Sequence, residues 1–133
     1  MNLLLLDTHV WVWWLTSPDT LTKRQRAAIE RTRRHGGQPL LVSIISCWEV
    51  ALLGQRGRLR FSIPLGVWLE QAVALPGLEV VPLSLPIILA GARLSRLRDP
   101  ADQLIVATAH DRGARLVTSD RRIAAADEVP VIA

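Results

Sequence analysis

At 133 residues, half of them hydrophobic and 21% charged, with a net charge of +4, the chain is long enough to bury a proper core and too apolar to be disordered. One cysteine, Cys47, excludes an internal disulfide, there is no Cys/His spacing of the zinc type, and no apolar run reaches the roughly 20 residues of a membrane-spanning helix. No basic stretch precedes the N-terminal leucines, so no signal peptide is expected, and a soluble, cytoplasmic, single domain over 1–133 is.

Leu3 to Leu6 is an unbroken apolar run closed by Asp7. A parallel strand covered by helices on both faces reads this way, whereas a half-exposed strand alternates. Thr8 to Leu15, apolar nearly all round, predicts a short buried helix ending before Ser17-Pro18-Asp19, because proline disfavours helix in the residue before it. Thr22 caps a second helix to about Arg34, stopped by Gly36-Gly37; Pro39 to Val42 is a short strand. Ser43 or Ser46 can cap a helix from Ile44 to about Gln55, followed by a basic loop with Arg56, Arg58 and Arg60. Pro64, read as a first helical position, opens Leu65 to Ala74, and Pro76-Gly77 turns into a strand over Leu78 to Val81. Ser84 to Leu97 has a helical pattern. Asp99-Pro100-Ala101-Asp102 is a helix-start signature opening Pro100 to Arg112. Arg115 to Thr118, Asp120 to Ala126 and Val129 to Ile132 complete the pattern as strand, helix and strand. Strands alternating with helices predict an α/β domain with a mostly parallel sheet.

Four of the twelve acidic residues stand in apolar company. Asp7 and Asp120 close strands, where ligands bind in open parallel sheets. Glu49 shares a helical stripe with Ile45 and Leu52, and Asp102 shares one with Ile105, Val106 and Ala109. Helix capping is the competing explanation for Asp7, Asp99 and Asp120. Glu49 is harder to dismiss, since an unpaired carboxylate on an apolar stripe is costly and no basic residue lies one turn before it. Gathered carboxylates need a counter-charge. Oxygen-only ligands favour Mg²⁺ or Mn²⁺ over zinc, and such ions assist phosphodiester hydrolysis. All basic residues but Lys23 are arginine; genomic codon bias and a phosphate-rich partner both account for that. The tryptophans of the first helix read as core, with base stacking as the rarer use.

The segments LLLLDTHVWVWWL, SIISCWEVALL, DPADQLIVATA and LVTSD, in this order, resemble those of PIN domains, and among them the VapC toxins of bacterial and archaeal toxin–antitoxin pairs. The resemblance covers Leu3 to Ile132. It implies a three-layer fold with a five-stranded parallel sheet, an acidic pocket at its carboxyl edge, and Mg²⁺- or Mn²⁺-dependent endoribonuclease activity on tRNA or rRNA. Carried over residue by residue, it implies metal binding and catalysis by Asp7, Glu49, Asp102 and Asp120. Asp99 is read mainly as the helix cap, with a water-mediated metal contact as a secondary role. Thr118 and Ser119 flank the fourth acid, either orienting water or only shaping the turn; His9, two residues after Asp7, is near enough to the pocket to touch a phosphate but reads first as a helix-start residue and not as a base. Gln103 departs from the arginine frequent in relatives, and Ala124 to Asp127 lack an aromatic often found there.

The resemblance also implies a homodimer and a VapB-like antitoxin laid along a groove, for which apolar surface around Trp11, Trp13, Trp14 and Trp68 is a candidate. RNA would be guided by arginines of the Arg56–Arg60 loop or the Lys23–Arg34 helix. A phospho-acceptor domain would need an acidic pair at the first strand and a late lysine. A haloacid-dehalogenase-type phosphatase would need an aspartate where His9 stands. The alternative that keeps the fold is a catalytically silent PIN domain that binds RNA or a partner.

Overall fold

The computed structural model describes residues 3–133; Met1 and Asn2 of the expected 1–133 domain lie outside the described residues. The strands are β1 (Leu4–Leu6), β2 (Leu40–Ser43), β3 (Leu78–Val81), β4 (Arg115–Val117) and β5 (Val131–Ile132). They form one parallel sheet in the order β3-β2-β1-β4-β5. The helices among the described residues are α1 (Thr8–Thr16), α2 (Lys23–His35), α3 (Ile44–Gln55), α4 (Leu65–Val73), α5 (Leu85–Ala92), α6 (Pro100–Arg112) and α7 (Arg121–Ala126). None is long and apolar enough to cross a membrane.

The N-terminal leucines are buried because the strand they form is central and covered twice. Successive side chains of a strand point to opposite faces. Leu4 and Leu6 accordingly join Leu40, Val42 and Val117 in a core with Trp11 of α1, Ile29 of α2 and Ala72 of α4. Leu5 joins Leu41 and Leu116 in a second core with Ile105 and Ala109 of α6 and Ile123 of α7. Each fully buried leucine contributes about 1.5–3 kcal/mol. This is the three-layer α/β arrangement predicted.

Local signals set most helix ends. Thr22 and Gln25 form a reciprocal capping box at α2, and Gly36, at a positive φ of 61°, ends it. Asp99 accepts from the backbone of Ala101 and Asp102 at the start of α6. Of the two cap candidates for α3, Ser43 is the cap, bonding to Ile45 N. Ser46 is buried within the helix. A short 3₁₀ turn over Pro18–Thr20 follows α1, where the sequence had indicated only a helix stop.

Several boundaries differ from expectation. Helix α5 ends at Ala92 instead of Leu97, because Gly91 packs directly against Gln103 and Leu104 of α6 and Gln103 Nε2 donates to the carbonyls of Leu94 and Leu97. Those bonds hold residues 93–99 as a turn. Strand β5 starts at Val131, not Val129, since Pro130 has no N–H to give the ladder. Strand β4 ends at Val117, where the Thr118 side chain turns to the site. Pro64 precedes α4 as its cap and is not its first helical residue.

Candidate active site

The strand order reverses on either side of β1. Ligand sites of open parallel sheets form at such a switch point, outside the carboxyl ends of the strands. In-register pairing of Leu6 with Val117 brings the two strand ends together, and Asp7 N donates to Val117 O at 3.0 Å. Asp7 follows β1 and Asp120 lies just past β4. Helix α3 starts directly after β2, so it leaves the same edge and carries Glu49; α6 leads down into β4 and presents Asp102 from its first turn. All four acids, with Asp99, Thr8, His9, Trp13, Ser119 and Arg122, line one cavity of about 370 Å³.

Capping and site membership, competing explanations in the sequence, hold together in the structure. Asp7 Oδ1 accepts from Thr8 N at 2.8 Å, capping α1, while Oδ2 accepts from the Thr118 hydroxyl at 2.6 Å. Thr118 Oγ1 in turn accepts from Asp120 N at 3.0 Å. One buried hydroxyl thus ties the first acid to the backbone of the fourth. Asp120 caps α7 through Arg122 N at 2.8 Å, and the Arg122 guanidinium stands 3.4 Å from its other oxygen.

Glu49 has a partner after all, supplied by another segment. Its Oε1 accepts from the Thr8 hydroxyl at 2.5 Å, and Thr8 Oγ1 also lies 2.8 Å from Ser46 Oγ. Thr8 and Ser46 are both buried. With one proton each, Thr8 donates to the carboxylate and Ser46 donates to Thr8.

The electrostatics are those of crowded acids. Burial raises the Asp7 carboxyl above its ordinary range against the lowering effect of its bonds to Thr118 and Thr8. Glu49 is raised by burial, then lowered in part by Thr8 and raised again by Asp7 and Asp99. Asp102 is pushed up to about 7, first by burial and then by Asp99, Asp7, Asp120 and Glu49. Among the described residues no side chain donates a hydrogen bond to it. Asp120 pulls the Arg122 guanidinium further up.

The donor set is carboxylate and hydroxyl oxygen, which fits Mg²⁺ or Mn²⁺. The fit is of chemistry and placement, not of a finished cage: among the described residues no three His, Cys, Asp or Glu side chains are arranged to hold a metal ion as they stand.

Residues matched as PIN domain run from 4 to 129. The chain belongs to the PIN domain family. Ribonuclease VapC22 of Mycobacterium tuberculosis is 36% identical over 130 residues, covering 92% of this chain and 91% of that protein. Among solved structures, VapBC2 from Rickettsia felis bound to a DNA fragment from its promoter matches with a TM-score of 0.71 at 14% identity, over 98% of this chain and 97% of that one. DNA-bound VapBC from Salmonella typhimurium matches at 0.70 and 17% identity, over 99% and 98%. The expected family and fold are thereby borne out.

Within this PIN domain, Asp99 lines the cavity as well as capping α6. Ser119 lines it too, and accepts from Nε2 of Gln25, a fully buried residue of α2. His9 lies on the wall with its ring 5.7 Å from that of Trp13. Gln103 serves the loop carbonyls and stays off the cavity.

Sequence reasoning missed Thr8, Ser46, Gln25 and Arg122. The arginines it favoured, in the Arg56–Arg60 loop and on α2, do not line the cavity. Arg33 packs over Trp14 and donates to Pro76 O, at the opposite edge of the sheet. Of the four tryptophans proposed for antitoxin docking, Trp11 is excluded because it is fully buried. Trp13, Trp14 and Trp68 keep part of their surface. Trp48, at 55% exposure, is the most open large apolar side chain of α3.

Proposed function

We propose that this chain is a single PIN domain acting in the cytoplasm as a Mg²⁺- or Mn²⁺-dependent endoribonuclease, the toxin of a toxin–antitoxin pair, cutting RNA of the tRNA or rRNA class. The observation that carries the reading is the convergence of Asp7, Glu49, Asp102 and Asp120, from four separate segments, on one cavity at the sheet's carboxyl edge. The 36% identity to a protein named a ribonuclease supports it.

In this reading the four carboxylates hold the cation, with Asp99 and Ser119 as outer contacts. A divalent cation held there would activate water and stabilise the charge that develops on the phosphoryl oxygens. The remaining work belongs to the chain. Thr118 and Thr8 fix the rotamers of Asp7 and Glu49, so the carboxylates are oriented before substrate arrives. Asp102, whose carboxyl is pushed up to about 7, would give up its proton when a cation is held there.

For partners, we infer a VapB-like antitoxin seated on the apolar shelf of α1 and α4, where Leu15, Trp68, Ala72 and Leu75 line a groove of about 160 Å³. A complex from Klebsiella pneumoniae described as toxin–antitoxin has a TM-score of 0.64 to this chain at 16% identity. Exposed Ile44 and Trp48 on α3 and Leu85, Ile88 and Leu89 on α5 provide apolar surface for a second copy in a homodimer.

The test is cleavage of a labelled tRNA and rRNA pool with Mn²⁺ or Mg²⁺, against chelator and Asp7→Asn. Discrete products lost in both controls support the reading; cleavage that survives Asp7→Asn refutes the acid site. The second reading, a silent binding domain, draws on the absence of a finished cage among the described residues. RNA binding unchanged by chelator, with no cleavage, would favour it.

A further inference from the structure

A second cavity, of about 330 Å³, opens beside the carboxylate cavity and shares with it Asp99, Asp102 and Arg122. Its other polar walls are basic. Arg96 and Arg98 come from the turn between α5 and α6, and Arg122 from the first turn of α7. All three arginines are exposed, so none is there to fill the core.

Their donors are mostly unspent. Arg96 gives one hydrogen bond, to Ala126 O at 3.2 Å. Among the described residues the Arg122 guanidinium reaches only Asp120, at 3.4 Å. Among the described residues neither Arg96 nor Arg98 forms a salt bridge, although Asp99 and Asp102 line the same cavity. Asp99 Oδ1 is committed to the backbone of α6. A guanidinium carries five N–H donors in a fixed fork that matches phosphate oxygens. Three such forks round one hollow form an anion cradle, and Gln103, one residue beyond Asp102, turns away from it to the loop carbonyls that keep the Arg96–Arg98 turn in place.

A polyanion is favoured over a free anion by the shared wall. A chain with one phosphate in the carboxylate cavity must place its next phosphate within one nucleotide of it, and the arginine cavity adjoins. We propose that Arg96, Arg98 and Arg122 hold the backbone phosphate neighbouring the one that is cut, and so set the path of single-stranded RNA across the site. This rests on the nuclease reading above and adds the residues that position its substrate.

The experiment is anisotropy of a labelled single-stranded RNA in chelator, where nothing is cut, over a series of KCl concentrations. The Arg96→Gln/Arg98→Gln double variant is compared with wild type and with Arg31→Gln/Arg34→Gln, which removes the same charge from the far end of α2. Losing one phosphate contact lowers the slope of log K against log salt by about 0.7 and weakens binding several-fold. That loss is expected for Arg96→Gln/Arg98→Gln only. A single uncharged methylphosphonate linkage, moved along the RNA, should weaken wild-type binding beside the cut site mapped with Mn²⁺ and leave the variant indifferent there.

Equal slopes for the two double variants, or a wild-type slope in Arg96→Gln/Arg98→Gln, would overturn the cradle while leaving cleavage by wild type, and so the nuclease reading, intact. A wild type that neither binds nor cuts RNA would sink both. Thermal melts check folding, and Arg98→Gln alone, which loses no hydrogen bond to the protein, serves if the double variant misfolds.

Discussion

Asp102→Asn is expected to trade function for stability, in a manner set by pH. Asp102 titrates at about 7 in the fold against an ordinary 3.8. Between those values the folded chain holds a proton that the unfolded chain has released. The contribution of Asp102 to stability is therefore fully present below pH 3.8 and is lost as pH rises through 7. At about 1.4 kcal/mol per unit the full shift corresponds to about 4 kcal/mol. Asp102 lies at an open cavity mouth, and solvent screening reduces this to about 1–2 kcal/mol. Asparagine has no charge to lose, so in chelator the variant should match wild type near pH 4 and exceed it by that amount at pH 8. For a domain of this size the gap is roughly 3–8 °C in Tm. Adding Mn²⁺ at pH 8 should raise wild type by the binding free energy and the variant much less. The assay is thermal unfolding followed by circular dichroism. A Tm gap of the same size at both pH values, or none at pH 8, would refute the account of Asp102 as a carboxylate strained by burial and by its neighbours.

Thr118→Val keeps the shape but strands an Asp7 oxygen and the Asp120 N–H; a loss of about 1–3 kcal/mol in urea unfolding is expected, with a larger fall in cleavage rate than in RNA binding. Glu49→Gln keeps an acceptor for Thr8 but removes a charge, so cleavage should drop about 100-fold or more while the melting temperature in chelator holds or rises. Leu5→Ala, at a fully buried position of the central strand, should cost about 2–5 kcal/mol by denaturant titration; a cost below about 1 kcal/mol would contradict the two-sided burial of β1.

Much of the fold was legible because its signals are local. The leucine run reads as a doubly covered strand, and Thr22, Asp99, Gly36 and Gly113 mark helix ends by satisfying backbone groups within a turn of themselves. The acids were legible through their apolar company, since a carboxylate placed there has to be used or neutralised. Where the reading slipped, the deciding partner was remote. Helix α5 stops early because of Gln103 on the next helix. The tryptophan-rich α1 splits into Trp11, fully buried, and Trp13, part of the cavity wall, a division that depends on which helix packs opposite.

Sequence alone determined most of the elements, their order and which four acids stand in apolar company, because propensity, capping and hydrophobic period act over a few residues. Only the tertiary structure decided that Thr8 would serve Glu49, that Thr118 would join Asp7 to Asp120, and that Arg122, not the arginine loop after α3, would stand at the cavity. Those contacts join residues 41 and 111 positions apart, and they exist because parallel pairing of β2, β1 and β4 brings three strand ends to one edge. The raised proton affinities of Asp7, Glu49 and Asp102 belong to the same level: burial and the distance between charges are properties of the assembled chain.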